Sequence, residues 1–348
     1  MEKIPSNNEN EVFNTNDGLP EIFNLDDYEH KVGEQGIRTY NIDGINVNVD
    51  WMRFLPETNN GEIIKPFEKG VLYFNGWSMP SDAKSSEILV KTLAQETVKD
   101  GGSLAMSIST RAENISESSL PTEAKAIIEL IKEIGLKEVV LAGHSKGGQK
   151  AANVVAQIQR NEPDIKVDGL LLFCPVGLYE QGNLELTRKF WGHAFTQSLK
   201  AQSNREMAST YNSLTKDISK EMIDEIKKSK LDYPKRVISE IAEMAKMDSA
   251  FSEVECPVIL IQGQNDPVSS PEKTTESVLK VENDTFSINQ NELLGKIFPK
   301  SPYVRWVKGK KSKERLGGHT LPNYRPRAVA RVASYLTRRY ERELSQDS

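Results

Sequence analysis

Apolar residues recur along this chain in short unbroken runs, separated by stretches with helical spacing. Residues 70–75, 104–108, 139–142, 167–173, 257–262 and 303–307 are such runs. Each has the length of a strand and lacks the alternation of a half-exposed one, which predicts strands buried on both faces. Between them, residues 81–97 place Ile88, Leu89, Leu93 and Ala94 on one helical face. Residues 121–134 do the same with Ala124, Ile127, Ile128 and Ile131, with Pro121 in the first turn and Gly135 at the end. Residues 151–158 read as a third helix. A long amphipathic helix over 326–343 turns Val329, Val332, Ala333 and Leu336 inward. Alternating strand and helix predicts an α/β fold, a mostly parallel sheet covered by helices on both faces. Ligands of such sheets sit at the carboxyl ends of the strands, so chemistry is sought just after each strand.

Two regions depart from the alternation. Residues 37–41 and 45–54 alternate apolar and polar positions around Asp43-Gly44. This predicts a hairpin at an antiparallel edge. From 177 to 253 strand signals stop, and residues 184–201, 205–214, 219–229 and 234–247 read as helices with charged faces. The chain therefore divides into a loosely docked or disordered tail over 1–34, a core over 35–178 and 253–348, and a helical insertion over 179–252. After the 257–262 strand, a helix is expected near 270–280, and 281–300 reads as irregular with a short helix near Leu293.

Composition narrows the functional classes. The chain has 348 residues, 37% hydrophobic and 27% charged, with a formal net charge of −5. That balance carries no electrostatic footprint for nucleic acid. No apolar run is long enough to predict a membrane-spanning helix, and the first residues lack the apolar stretch of a signal peptide. A cytoplasmic location is expected. The two cysteines, Cys174 and Cys256, close one strand and open another. In parallel strands that puts them at opposite ends, so two buried free thiols are expected, in keeping with a reducing compartment. No Cys/His cluster has metal-ligand spacing, and no glycine-rich dinucleotide or phosphate loop is present; neither a metal nor another cofactor is expected.

Chemistry-bearing residues gather at the strand exits. Gly143-His144-Ser145-Lys146-Gly147 follows the 139–142 strand and precedes a helix. A serine on so sharp a turn has its hydroxyl pushed above the sheet, and the glycines let strand and helix pass closely. Alone the pattern is weak: at roughly 7% Gly and a similar share of Ser, about one chain in ten of this length contains it by chance. Asp266 follows the 257–262 strand, and His319 lies between the last strand and the final helix. A serine hydroxyl needs an imidazole to take its proton, and the imidazole needs a carboxylate to fix its tautomer. Ser145, Asp266 and His319 are those residue types, each at a strand exit.

On these motifs, together with Phe74-Asn75-Gly76-Trp77, the chain resembles a capped serine hydrolase of the α/β-hydrolase superfamily over about residues 35–345. The insertion corresponds to the cap. The resemblance implies Ser145 as nucleophile, Asp266 as acid and His319 as base, with an oxyanion hole from the backbone N–H of Lys146 and of the loop near Trp77. The loop that usually begins His-Gly here begins Asn75-Gly76, and the usual Asp-x-Arg-Gly-x-Gly loop is Ser109-Thr110-Arg111-Ala112. The implied activity is hydrolysis of a carboxylic ester or thioester of a small-molecule acyl substrate. Acyl transfer and C–C bond hydrolysis use the same triad, and a non-catalytic binding protein on this fold is the rival from another class. A serine nucleophile argues against epoxide hydrolase or dehalogenase chemistry. Ser78 and Arg111 are candidate pocket residues, Arg111 reading equally as a salt-bridge partner. Trp77 lines the pocket or packs beneath the cap. Trp191, Phe190 and Phe195 either roof the pocket or form helix core. His144 reads as structural, and the Lys146 side chain as solvated.

Overall fold

The computed structural model describes residues 28–58, 68–77, 79–97, 103–112, 119–190, 192, 232–263, 266, 268, 277–281, 284–289, 292–310, 319, 321–324 and 326–347. Among the described residues, ten strands form one sheet in the order β1-β2-β4-β3-β5-β6-β7-β10-β9-β8. β1 (Tyr28–Ile42) and β2 (Ile45–Thr58) are the expected antiparallel hairpin, turning at Asp43-Gly44, both with positive φ. β1 begins at Tyr28, inside the segment read as a tail, and residues 1–27 lie outside the described residues. The centre is parallel: β4 (Leu104–Ala112), β3 (Lys69–Phe74), β5 (Glu138–His144), β6 (Lys166–Phe173), β7 (Val258–Gly263) and β10 (Val304–Lys310).

The continuous apolar runs are explained by burial on both sides. Side chains alternate across a strand, so successive residues serve different layers. Leu72, Phe74, Leu141, Leu172 and Leu260 share a core cluster with Ile127 and Ile131 of α2 (Leu120–Ile134) and Val154 and Ile158 of α3 (Lys146–Asn161). Their neighbours Val71, Tyr73, Ala142, Leu171 and Ile259 join a second cluster on the other face. It includes Leu89 and Leu93 of α1 (Lys84–Thr97) with Val329, Ala333 and Leu336 of the terminal helix Pro326–Asp347. α2 is bounded as its sequence directs. Ser119 Oγ accepts from the Thr122 N–H at 3.3 Å, and Gly135 ends the helix in the left-handed conformation at φ 84°.

Three expectations of this kind fail. Residues 109–111, expected as a loop, continue β4, because the long neighbouring β2 offers backbone partners there: Ser109 pairs with Asp50, Thr110 with Val49 and Arg111 with Asn48. The helix expected near 270–280 is a strand over its described part. β8 (Ser277–Val281) pairs antiparallel with β9 (Asp284–Asn289), and β9 pairs with β10. The two add an antiparallel edge, and β9 falls in the stretch expected to be irregular. The short helix near Leu293 is α5 (Glu292–Ile297).

Of the insertion, residues 183–190 are helical, and so is α4 (Asp232–Ala245). The helices expected over 205–214 and 219–229 lie outside the described residues. Val176, Leu186, Ile241, Met244, Ala245 and Val268 form a third apolar cluster, against which Trp77 and Phe190 pack. This cluster joins the insertion to the strand exits. Among the described residues, no helix is long and apolar enough to cross a membrane. Cys174 and Cys256 are both buried and are not joined in a disulfide.

Candidate active site

The turn after β5 is set by close backbone approach. A Cβ added at Gly143 would fall on the Gly147 carbonyl, and one at Gly147 on the Phe74 carbonyl. Only glycine allows strand, turn and helix to pass so near. Ser145 between them has φ 55° and ψ −121°, a conformation that L-residues seldom adopt. Its N–H is held by the Phe173 carbonyl at 3.1 Å. The backbone is thus fixed from both neighbouring strands, with the hydroxyl directed out of the sheet.

His319 and Asp266 meet this serine. His319 Nε2 lies 2.7 Å from Ser145 Oγ. His319 Nδ1 lies 3.3 Å from Asp266 Oδ2. Asp266 Oδ1 accepts from the Val268 N–H at 2.9 Å, which orients the carboxylate. The geometry assigns the His319 proton to Nδ1, donating to Asp266, and leaves Nε2 to accept from the serine. Ser145, Asp266 and His319 are all buried, at 3%, 3% and 4% exposure. Three strand exits far apart in sequence therefore deliver one hydrogen-bonded line.

Supporting contacts surround that line. His144 Nε2–H donates to the backbone carbonyl of His319 at 2.7 Å, tying the histidine's loop to the turn. The Phe190 ring meets the His319 ring edge-on at 5.3 Å. The loop after β3 is organised by Asn75. Its Nδ2 donates to the Pro80 carbonyl at 3.1 Å and to Ser107 Oγ at 2.9 Å, and its Oδ1 accepts from Ser86 Oγ. Ser109 Oγ donates to the Met79 carbonyl at 2.7 Å. Asn75 thereby pins both ends of the loop that carries Trp77.

Lys146 differs from its sequence reading. Its side chain is 5% exposed rather than solvated, with Nζ 3.1 Å from Glu243 Oε2 and 3.7 Å from Glu240 Oε1 on α4. Burial would push the ammonium down. The carboxylates of Glu240, Glu123 and Glu243 outweigh it and hold Lys146 above its ordinary value. Glu240 also accepts a hydrogen bond from the Trp77 indole Nε1–H. Behind Lys146, the buried Glu123 pairs with Lys150 at 2.8 Å and accepts from Thr110 Oγ1. The isolated carboxylate would be raised by burial, but Lys150 and Lys146 draw it down to about 2. Sequence reading does not single out Glu240 and Glu243. Their one signal is a pair of acids three apart on a helix whose other face is apolar, and that also describes an ordinary solvated face.

Of the other candidate residues, Arg111 lies on β4 opposite Asn48. Ser78, Trp191 and Phe195 lie outside the described residues.

Residues 107–289 match the family of serine aminopeptidases, S33, a span that includes β5, the serine turn and the described part of the insertion. The chain belongs to this family of α/β hydrolases. An esterase from Exiguobacterium antarcticum has a similar structure at 13% sequence identity, over 86% of this chain and 98% of that one, with a TM-score of 0.50. A bromoperoxidase from Bacillus anthracis is similar at 14% identity, over 89% of this chain and 100% of that one, with a TM-score of 0.49. At 13% identity the likeness to the esterase is one of fold. No curated protein sequence matches the chain. Membership makes the protein an α/β hydrolase with hydrolase chemistry and leaves the bond it cleaves to be argued from the site.

Proposed function

We propose that this hydrolase cleaves carboxylic esters or thioesters through an acyl-enzyme on Ser145. The observation that carries the proposal is the line from Asp266 through His319 to Ser145, with contacts of 3.3 and 2.7 Å, ending on a serine in a strained turn. Ser145 Oγ attacks the substrate carbonyl carbon, and its proton passes to His319 Nε2. Asp266 holds the imidazolium that forms and keeps the ring in register. The negative oxygen is taken up by the backbone N–H groups of Lys146 and Trp77. As the first residue of α3, Lys146 has an N–H that no helical turn can satisfy, and it points where the helix end favours negative charge. Each such donor contributes about 3 kcal/mol of transition-state stabilisation. Collapse of the intermediate breaks the bond to the leaving group, which takes the proton from His319. Water then repeats the sequence and frees the acid. The insertion over 179–252 acts as a cap, and its apolar cluster beside Trp77 and Phe190 favours an apolar acyl group.

The family's description favours a second reading, in which the same acyl-enzyme forms from an amide at a peptide terminus. One experiment separates the two. The purified protein is treated with a fluorophosphonate probe, then assayed on p-nitrophenyl esters of increasing acyl length, on thioesters and on aminoacyl anilides. Labelling at Ser145, lost in a folded Ser145→Ala variant, is expected, with turnover fastest on esters. Folded wild type that takes up no label would remove Ser145 as nucleophile. Turnover confined to anilides would select the amide reading.

A further inference from the structure

We propose that Glu240, on the cap helix α4, is a positioning residue for the oxyanion hole: one carboxylate holds the side chains of both Trp77 and Lys146, the residues whose backbone N–H groups receive the developing charge. The inference rests on the acyl-enzyme reading above and adds to it the part that aligns its two donors.

The two donors come from separate pieces of chain, the loop after β3 and the first turn of α3. Their backbones pass closely where Gly147 meets the Phe74 carbonyl, and Glu240 adds a tie between the two donor residues' side chains from a third element. Its Oε2 accepts from the Trp77 indole N–H, and its Oε1 faces Lys146 Nζ at 3.7 Å. The carboxylate is itself anchored, because the adjoining Ile241 and the next-turn Met244 are buried in the apolar cluster that Trp77 packs against. Lys146 has a particular need for such partners. A cation in the first turn of a helix opposes the helix dipole, and this one is also buried. Glu123 and Glu243, the latter at 3.1 Å, share with Glu240 the work of balancing that charge. Loss of Glu240 therefore leaves Lys146 paired and the fold supported, while it frees Trp77 and releases Lys146 from the Trp77 side. The charge on Lys146 thus has more than one support, whereas the side-chain tie between the two donors runs through Glu240.

The consequence is a rate effect confined to the transition state. In Glu240→Ala, kcat on the best p-nitrophenyl ester is expected to fall about a hundredfold with KM little changed, since misplacing a donor costs stabilisation only where charge develops. Phosphonylation of Ser145 slows in parallel, because the probe's oxygen uses the same donors. Glu240→Gln keeps an acceptor for the indole and recovers most of the rate. Trp77→Phe, which removes the indole N–H and keeps an aromatic ring, reproduces the loss, and the double variant Glu240→Ala/Trp77→Phe is no slower than either single one. A purely structural role for Glu240 would not give the split between kcat and KM or the rescue by glutamine. Circular dichroism checks each fold. If Glu240→Ala fails to fold, Glu240→Gln and Trp77→Phe carry the test, and Trp77→Phe at the wild-type rate overturns the proposal. Wild-type kcat in Glu240→Ala, a loss borne by KM alone, or a glutamine variant as slow as the alanine one also overturns it. Wild type that labels at Ser145 beside a Glu240→Ala variant that labels equally fast removes the role of Glu240 alone. Folded wild type that does not label removes the nucleophile, and the positioning role with it.

Discussion

Ser145 holds its hydroxyl above the sheet, toward His319, at a cost in backbone strain. At φ 55° and ψ −121° it lies where only glycine is comfortable, a position that costs a serine on the order of 1–3 kcal/mol. Ser145→Gly should relieve that strain against about 1 kcal/mol of added chain entropy. The expected outcome is a variant at least as stable as wild type, by up to about 2 kcal/mol in chemical denaturation, and inactive on esters. A clear loss of stability would show that the turn is not strained. At this scale the motif is legible in the sequence: Gly143 and Gly147 are required by contacts that the pattern implies. The environment of Lys146 is not, since a lysine between serine and glycine carries no mark of the acids that meet it from α4. Asn75 is a similar case. In the sequence it is a departure from His-Gly, and only its partners at Pro80, Ser107 and Ser86 show how it holds the loop.

At the scale of elements, periodicity locates the strands and helices of the core, and it fails where pairing outweighs local pattern. β4 runs on through Arg111 because β2 is long enough to pair with it. The stretch at 277–281 is drawn into a strand by β9, although its spacing also suits a helix. The α2–α3 interface carries a charge pair whose effect can be measured. Glu123 on α2 is held at about 2 in the folded protein against an ordinary 4.5, chiefly by Lys150 and Lys146 once the opposing effect of burial is overcome. A depressed carboxylate stabilises the fold above its unfolded value and loses that contribution as pH falls through the folded one. The window therefore runs from about 4.5 down to about 2. Such a shift corresponds to about 3 kcal/mol at neutral pH. Unfolding free energies of wild type measured across that window should fall with acidification, and those of Glu123→Gln should start lower and fall less. Parallel curves would remove Glu123 as the source.

Across the whole molecule, two helical layers close over the sheet and bury both thiols. Burial pushes both up, Cys256 to about 12, and the Asp266 carboxylate adds to the rise at Cys174. Neither should react with an aromatic disulfide reagent in the native protein at neutral pH, and both should react on denaturation. Rapid native reaction of either thiol would contradict the packing. The order of residues alone determines the layered α/β architecture and puts Ser145, Asp266 and His319 at strand exits, because apolar periodicity and tight turns are local properties that the chain displays directly. Only the folded chain decides which distant groups meet. The hydrogen-bonded line through the three residues, the extra antiparallel strands at the edge, and the meeting of Lys146 and Trp77 on Glu240 all depend on contacts between elements many residues apart, and no local pattern encodes their distances.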